Sequence, residues 1–119
     1  KDLLIAYEST KATLEEEDSY GDFHLVILHL MRTYFKLEDW KNVLSFGQES
    51  NQLYQEQNWE EDEDWKEISL MQADASNALQ LTKNAKEKIQ EILKIFPQDE
   101  NALRRKKEWD GGWFGWLKK

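Results

Sequence analysis

His24 and His29 are the only two imidazoles in this 119-residue chain, and imidazole is the side chain most often recruited to bind a metal or move a proton. Five residues apart on a helix, they diverge by about 140°. They therefore do not form a shared metal face, and packed or half-exposed histidines are expected. The chain has no cysteine, which removes disulfides, thiolate zinc sites and cysteine nucleophiles. Serines and threonines occur without a G-x-S-x-G elbow, a phosphate loop or an H-E-x-x-H helix around them. The acidic run Glu60–Glu61–Asp62–Glu63–Asp64 lacks the alternating ligands and glycine of a calcium loop. It reads as a solvated linker between Trp59 and Trp65, which either fold back on their own helices or anchor a partner. What remains is recognition: the expectation is no enzyme, no metal and no cofactor.

The elements that must position such a surface are helices. The stretch Asn84–Leu103 is the clearest: Ala85, Ile89, Ile92 and Leu93 share one helical face. The helix must stop before Pro97, and Gln98–Asp99–Glu100–Asn101 leads to a new start at Ala102 and Leu103. One helical hairpin hands over to the next in this way. Upstream, residues 1 to about 14 place Leu3, Ala6, Tyr7, Thr10 and Leu14 on one side. A polar break with Asp22 as cap precedes a helix from Phe23 to about Lys36, apolar nearly all round and so central. Leu37–Glu38–Asp39 is a tight link with Asp39 as cap. The next helix, Trp40 to about Gln57, buries Trp40, Val43, Leu44, Gly47, Ser50, Leu53 and Tyr54. Glycine inside a helix costs about 1 kcal/mol relative to alanine, so Gly47 predicts a close helix–helix approach. An alanine-rich helix from about Trp65 to Leu81 and one from Glu100 to about Trp109 complete about six, with no convincing strand.

Charge is uneven. The net charge is −8, yet Arg104–Lys119 holds six basic residues against Glu108 and Asp110. The acidic remainder would repel a phosphate backbone, which argues against nucleic-acid binding. No apolar run approaches the ~20 residues needed to cross a bilayer, and no secretory signal is visible; the expected compartment is the cytoplasm. The first residue is lysine, and the expectation is a piece of a longer protein. Residues 1–109 read as one helical domain and 110–119 as an aromatic-basic tail, with Trp113, Phe114 and Trp116 beside Lys118 and Lys119. Docking of that tail in cis or on a partner is favoured over contact with a membrane, because one short segment gives only marginal lipid affinity.

Phe23–Ser50 resembles a tetratricopeptide repeat, with Tyr34, Trp40, Val43, Gly47 and Ser50 at its aromatic and small positions. Ala73, Ala85, Ile89, Ile92 and Pro97 resemble the matching positions of another repeat. The wording HLVILHLMRTYFKLEDWKNVL is similar to the second repeat of immunophilin co-chaperones of the FKBP and cyclophilin-40 types. The resemblance implies antiparallel hairpins stacked in a right-handed superhelix. Val43 and Ala85 are 42 residues apart, longer than the ~34-residue period, which fits an extension through Gln52–Trp65. The family's chaperone-binding members hold a carboxylate with an asparagine and two basic residues. In this register those positions are His29, Glu67 and Met71, so the clamp is missing.

The reading is an all-α interaction module. By the repeat register, Leu25, Leu28, Arg32, Phe35 and Lys36 from one repeat and Glu67, Leu70, Asp74 and Asn77 from the next face a concave groove for a peptide or helix of a protein partner. Leu25, Leu28 and Phe35 would supply affinity, and Arg32 and Lys36 would select acidic groups. Trp113, Phe114 and Trp116 would add contacts from the tail. The alternatives are a heat-shock co-chaperone fragment with a degenerate clamp and a structural subunit of a larger assembly.

Overall fold

The computed structural model describes residues 2–12 and 20–111. Among these residues the chain is all-helical, without a strand. Its α-helices are α1 (Asp2–Ala12), α2 (Tyr20–Lys36), α3 (Trp40–Glu56), α4 (Glu63–Ala78), α5 (Thr82–Ile95) and α6 (Glu100–Lys106), and α6 runs into a π-helical turn, Lys107–Gly111. Leu14 and residues 112–119 lie outside the described residues.

Each helix packs on the next in sequence, and α2 also touches α4. Links as short as Leu37–Asp39 force neighbours that pack side by side to run antiparallel. The outcome is long and narrow, 59 × 28 × 19 Å, with a radius of gyration of 15.8 Å against about 13 Å for a compact domain of this length. Two apolar clusters divide the interior. One gathers Tyr7, Phe23, Ile27, Leu28, Met31, Val43, Leu53 and Ile68. The other gathers Tyr54, Trp65, Ala73, Ile89, Ile92 and Ala102. Trp59 packs against both. The apolar stripes of α3 and α5 lie where the periodicity puts them, with Val43, Gly47, Ser50, Leu53, Tyr54, Ala85, Ile89 and Ile92 all buried, while Trp40, Leu44 and Leu93 are only partly buried. On α1, Tyr7 is buried but Leu3, Ala6 and Thr10 are only half-buried.

The boundaries differ from the expected ones for local reasons. α2 begins at Tyr20, whose ring packs on the first cluster, so Asp22 falls inside the first turn and does not cap. α4 begins at Glu63 because Asp62 captures the backbone N–H of Trp65 at 2.9 Å. Its neighbours Glu63 and Asp64 lie in that first turn, where the helix dipole favours negative charge. The acidic run is therefore a helix start and not simply a solvated linker. Asp39 caps α3 and Asp99 caps α6 by the same device, accepting from the N–H three residues on. α5 opens at Thr82, two residues before Asn84, without a side-chain cap, and stops at Ile95 ahead of Pro97. The α-helical part of α6 ends at Lys106, short of Trp109.

Three helices end in one turn geometry, and none uses glycine. Glu38, Asn58 and Gln80 have φ of 57°, 55° and 64°. In each turn the next residue's N–H reaches back five positions: Asp39 to Tyr34, Trp59 to Tyr54, Leu81 to Ser76. The left-handed residue itself reaches back three, to Phe35, Gln55 and Asn77. These are Schellman turns, and an L-residue in the left-handed region costs about 1–2 kcal/mol. Trp59 completes its turn by lying perpendicular on Tyr54 at 5.3 Å. Gln80 is exposed, so Gln80→Gly removes strain and no packing. Part of the gain is lost to the looser unfolded chain, leaving an expected increase of about 0.5–1 kcal/mol in urea unfolding. An unchanged or lower midpoint would show that the turn is not strained.

Gly47 is where α3 meets α4. A Cβ at Gly47 would stand 2.5 Å from Cγ and 2.6 Å from Cδ of Gln72. Gln72 is 6% exposed and accepts from Asn51 Nδ2 at 3.2 Å, so it has little freedom to withdraw. Gly47→Ala gains about 1 kcal/mol of helix propensity but overpacks this contact, and a net loss of about 1–2 kcal/mol is expected. Pairing it with Gln72→Ala should return most of that loss in thermal melts, because the clash then has no partner.

Candidate partner-binding face

Three ionic ties run between even-numbered helices. Arg32 on α2 donates from Nε and Nη2 to the two carboxylate oxygens of Glu67 on α4, both at 2.7 Å. Arg105 on α6 grips Asp74 on α4 in the same way, at 2.7 and 2.8 Å. Lys66 on α4 donates to Asp99, at the start of α6, at 2.7 Å, with its ammonium 5.0 Å over the ring of Phe96. Planar, bidentate arginine–carboxylate pairs are stronger and more directional than point-charge contacts. On the other side, Tyr7 of α1 donates to Glu49 of α3 at 2.7 Å, and Lys11 stands beside both.

The charges respond as this geometry requires. The guanidinium of Arg32 holds Glu67 below the ordinary carboxylate value, against the opposing effect of burial. At Asp99 burial pushes upward, but the Lys66 ammonium and the Ala102 N–H together bring the carboxyl below its usual value. Both carboxylates therefore contribute stability that is complete above their unfolded values and is lost as pH falls through the folded ones.

The residues of the expected groove have different fates. Leu25 is 48% exposed, and Lys36 and Asn77 are exposed as well. Leu28 is 2% exposed and belongs to the first cluster; it supports the face from behind and offers nothing to a partner. Phe35 is half-buried, edge-on to Trp40 at 5.2 Å, and Leu70 packs partly on the second cluster. Arg32, Glu67 and Asp74 are the internal ties just described, so the guanidinium of Arg32 is already engaged. Trp113, Phe114 and Trp116 lie outside the described residues. Of the clamp positions, His29 is exposed, Glu67 is held by Arg32 and Met71 is 7% exposed.

Two clefts flank these elements. One of about 260 Å³ is lined by Leu3, His29, Arg32, Thr33 and Lys36. Another of about 370 Å³ opens between α3 and α5, with Asn51, Gln55, Trp65, Lys88 and Lys94 among its walls. Among the described residues no group of three or more metal-ligating side chains converges, and no helix is long and apolar enough to cross a membrane. Sequence reasoning missed Arg105, Lys66 and Asp99 as members of this face. Their partners lie 31 and 33 residues away, and only the recurrence of those separations could have pointed to them.

Compared with protein-family models, with curated proteins and with solved structures, the chain gives no match in any of the three.

Asp99→Ala removes a helix cap and leaves Lys66, whose side chain is 18% exposed, with Glu63 at 3.0 Å as its remaining carboxylate. A loss of roughly 1–2 kcal/mol is expected in chemical denaturation. Glu91→Ala, which breaks the surface pair with Lys88, should cost under ~0.5 kcal/mol. Equal losses would show that the Lys66–Asp99 tie contributes no more than an exposed pair.

Proposed function

We propose that this chain is a non-catalytic protein-interaction module, a right-handed stack of tetratricopeptide-like hairpins that holds a partner segment across α2, α4 and α6. The observation that carries this reading is the spacing of the ties across that face. Arg32–Glu67, Lys66–Asp99 and Arg105–Asp74 are separated by 35, 33 and 31 residues, close to the ~34-residue period of such repeats. Interactions at one repeat length apart are what a stack of equivalent hairpins produces, because equivalent helices become neighbours. The elongated shape and the packing of each helix on its sequential neighbours support the same reading.

In this reading the ionic ties set the spacing and tilt of the face, and recognition falls to the groups left accessible. Leu25 supplies apolar contact, Lys36 and His29 supply polar contact beside the cleft that ends at Leu3, and Asn77 does so at the far end of α4. Arg32 acts through Glu67 as framework, a change from the role its position in the repeat first suggests.

The test is selection of binders from a random peptide library on the full chain, followed by mapping of amide resonances. Binders are expected to shift Leu25, Lys36 and Asn77, and Leu25→Glu should weaken them at least tenfold without changing the melting temperature. Shifts confined to α3 and α5 would overturn the assignment of the face. A peptide ending in Met-Glu-Glu-Val-Asp is expected to bind no tighter than about 1 mM, since Glu67 and buried Met71 stand where basic groups would be needed; micromolar binding would restore the co-chaperone reading.

A further inference from the structure

His24 lies where the two core clusters meet. It is 6% exposed, with its ring edge-on to Tyr54 at 5.2 Å and to Trp59 at 5.6 Å. Tyr54 belongs to the second cluster, and Trp59 packs on both. Among the described residues, neither ring nitrogen of His24 has a hydrogen-bond partner. A neutral imidazole always carries one donor and one acceptor, so both polar groups are buried at a cost that phenylalanine in the same aromatic box would avoid.

The charged groups acting on the ring come from the start of α4. Asp64 Oδ2 stands 3.7 Å from Nε2, too far for a hydrogen bond. Asp62 lies behind it, with Oδ1 occupied by the Tyr54 hydroxyl at 2.7 Å and the Trp65 N–H at 2.9 Å. From α3, Tyr54 is the titratable neighbour; burial, then its bond to Asp62, pushes its hydroxyl far above the ordinary range, so it stays neutral. From α1, Tyr7 and Lys11 are turned to Glu49.

We infer that His24 is an acid-sensitive latch between the two halves of the stack: neutral, it completes the box with Tyr54 and Trp59, and protonated, it drives the segment from Trp59 to Trp65 away from α2. Burial outweighs the attraction of Asp64 and Asp62 and holds His24 below the ordinary imidazole value. The closed form thus binds fewer protons than the open one. Closure is complete above the open-state value of about 6.5 and weakens as pH falls from there through the closed-state value. Opening of the segment rises roughly tenfold between pH 7.5 and pH 5. Opening uncovers Trp59 beside Glu60, Glu61, Asp62 and Glu63, which are exposed in the closed form as well.

Amide hydrogen exchange of the full chain, corrected for intrinsic rates, tests this at pH 7.5 and pH 5. Residues 58–66 should lose about tenfold in protection while α5 holds, the His24 ring should titrate below 6.5, and His24→Phe should make that protection independent of pH. A ring titrating at 6.5 or above would overturn the latch. So would a loss shared equally by all helices or one persisting in His24→Phe. If His24→Phe does not fold, Asp64→Asn decides: removing that carboxylate should move the His24 titration further down, and an unmoved titration rejects the arrangement.

Discussion

The approach of α3 to α4 across Gly47 sets the spacing on which the rest of the stack depends. With no Cβ in the way, Gln72 lies against the α3 backbone, and Ser50, Ser69 and Ala73, all fully buried, continue a seam of small side chains. A close seam here brings Tyr54 within reach of Asp62. That contact, with the Trp65 N–H, fixes where α4 begins. The start of α4 in turn carries Lys66 and Glu67 to their partners on α6 and α2. A larger residue at position 47 would disturb more than its own contact, because close-packed interiors transmit displacement from one helix to the next.

The ionic ties and the apolar clusters do different work. Hydrophobic burial holds each helix to its neighbour but is nondirectional, and two helices can slide along a stripe at little cost. The two arginine forks are planar and bidentate and permit one register only. Spanning 35 and 31 residues, they place α2, α4 and α6 in a fixed relation and engage these charges with one another. The junction at His24 is built differently. There a polar ring replaces an apolar one at the meeting of the two clusters, and among the described residues its nitrogens have no hydrogen-bond partner. A group that lowers stability at a seam makes sense where the seam must respond to its surroundings.

Much of the local structure was legible in the residues. The stop before Pro97, the cap at Asp39, the stripe Ala85–Ile89–Ile92 and the need for a close neighbour at Gly47 all follow from rules that act within one or two turns of helix. The cap at Asp62 was hidden because it stands in a run of five acids in which Asp64 is an equally good capping residue. The link at Leu37–Asp39 was legible, but the left-handed geometry at Glu38, Asn58 and Gln80 was hidden because the usual glycine is absent. On α2 the apolar residues surround the helix, so the pattern could not separate buried Leu28 from half-exposed Leu25.

By itself, then, the chain determined that it would be helical and where most helices begin and end, because backbone hydrogen bonding, capping and proline geometry are satisfied within a few residues. Only the tertiary structure decided that Arg32 holds Glu67, that Arg105 holds Asp74 and that His24 sits buried at a seam. Those outcomes require groups more than thirty residues apart, or on three different helices, to meet. Helical periodicity gives the direction in which a side chain points but not the side chain it will face.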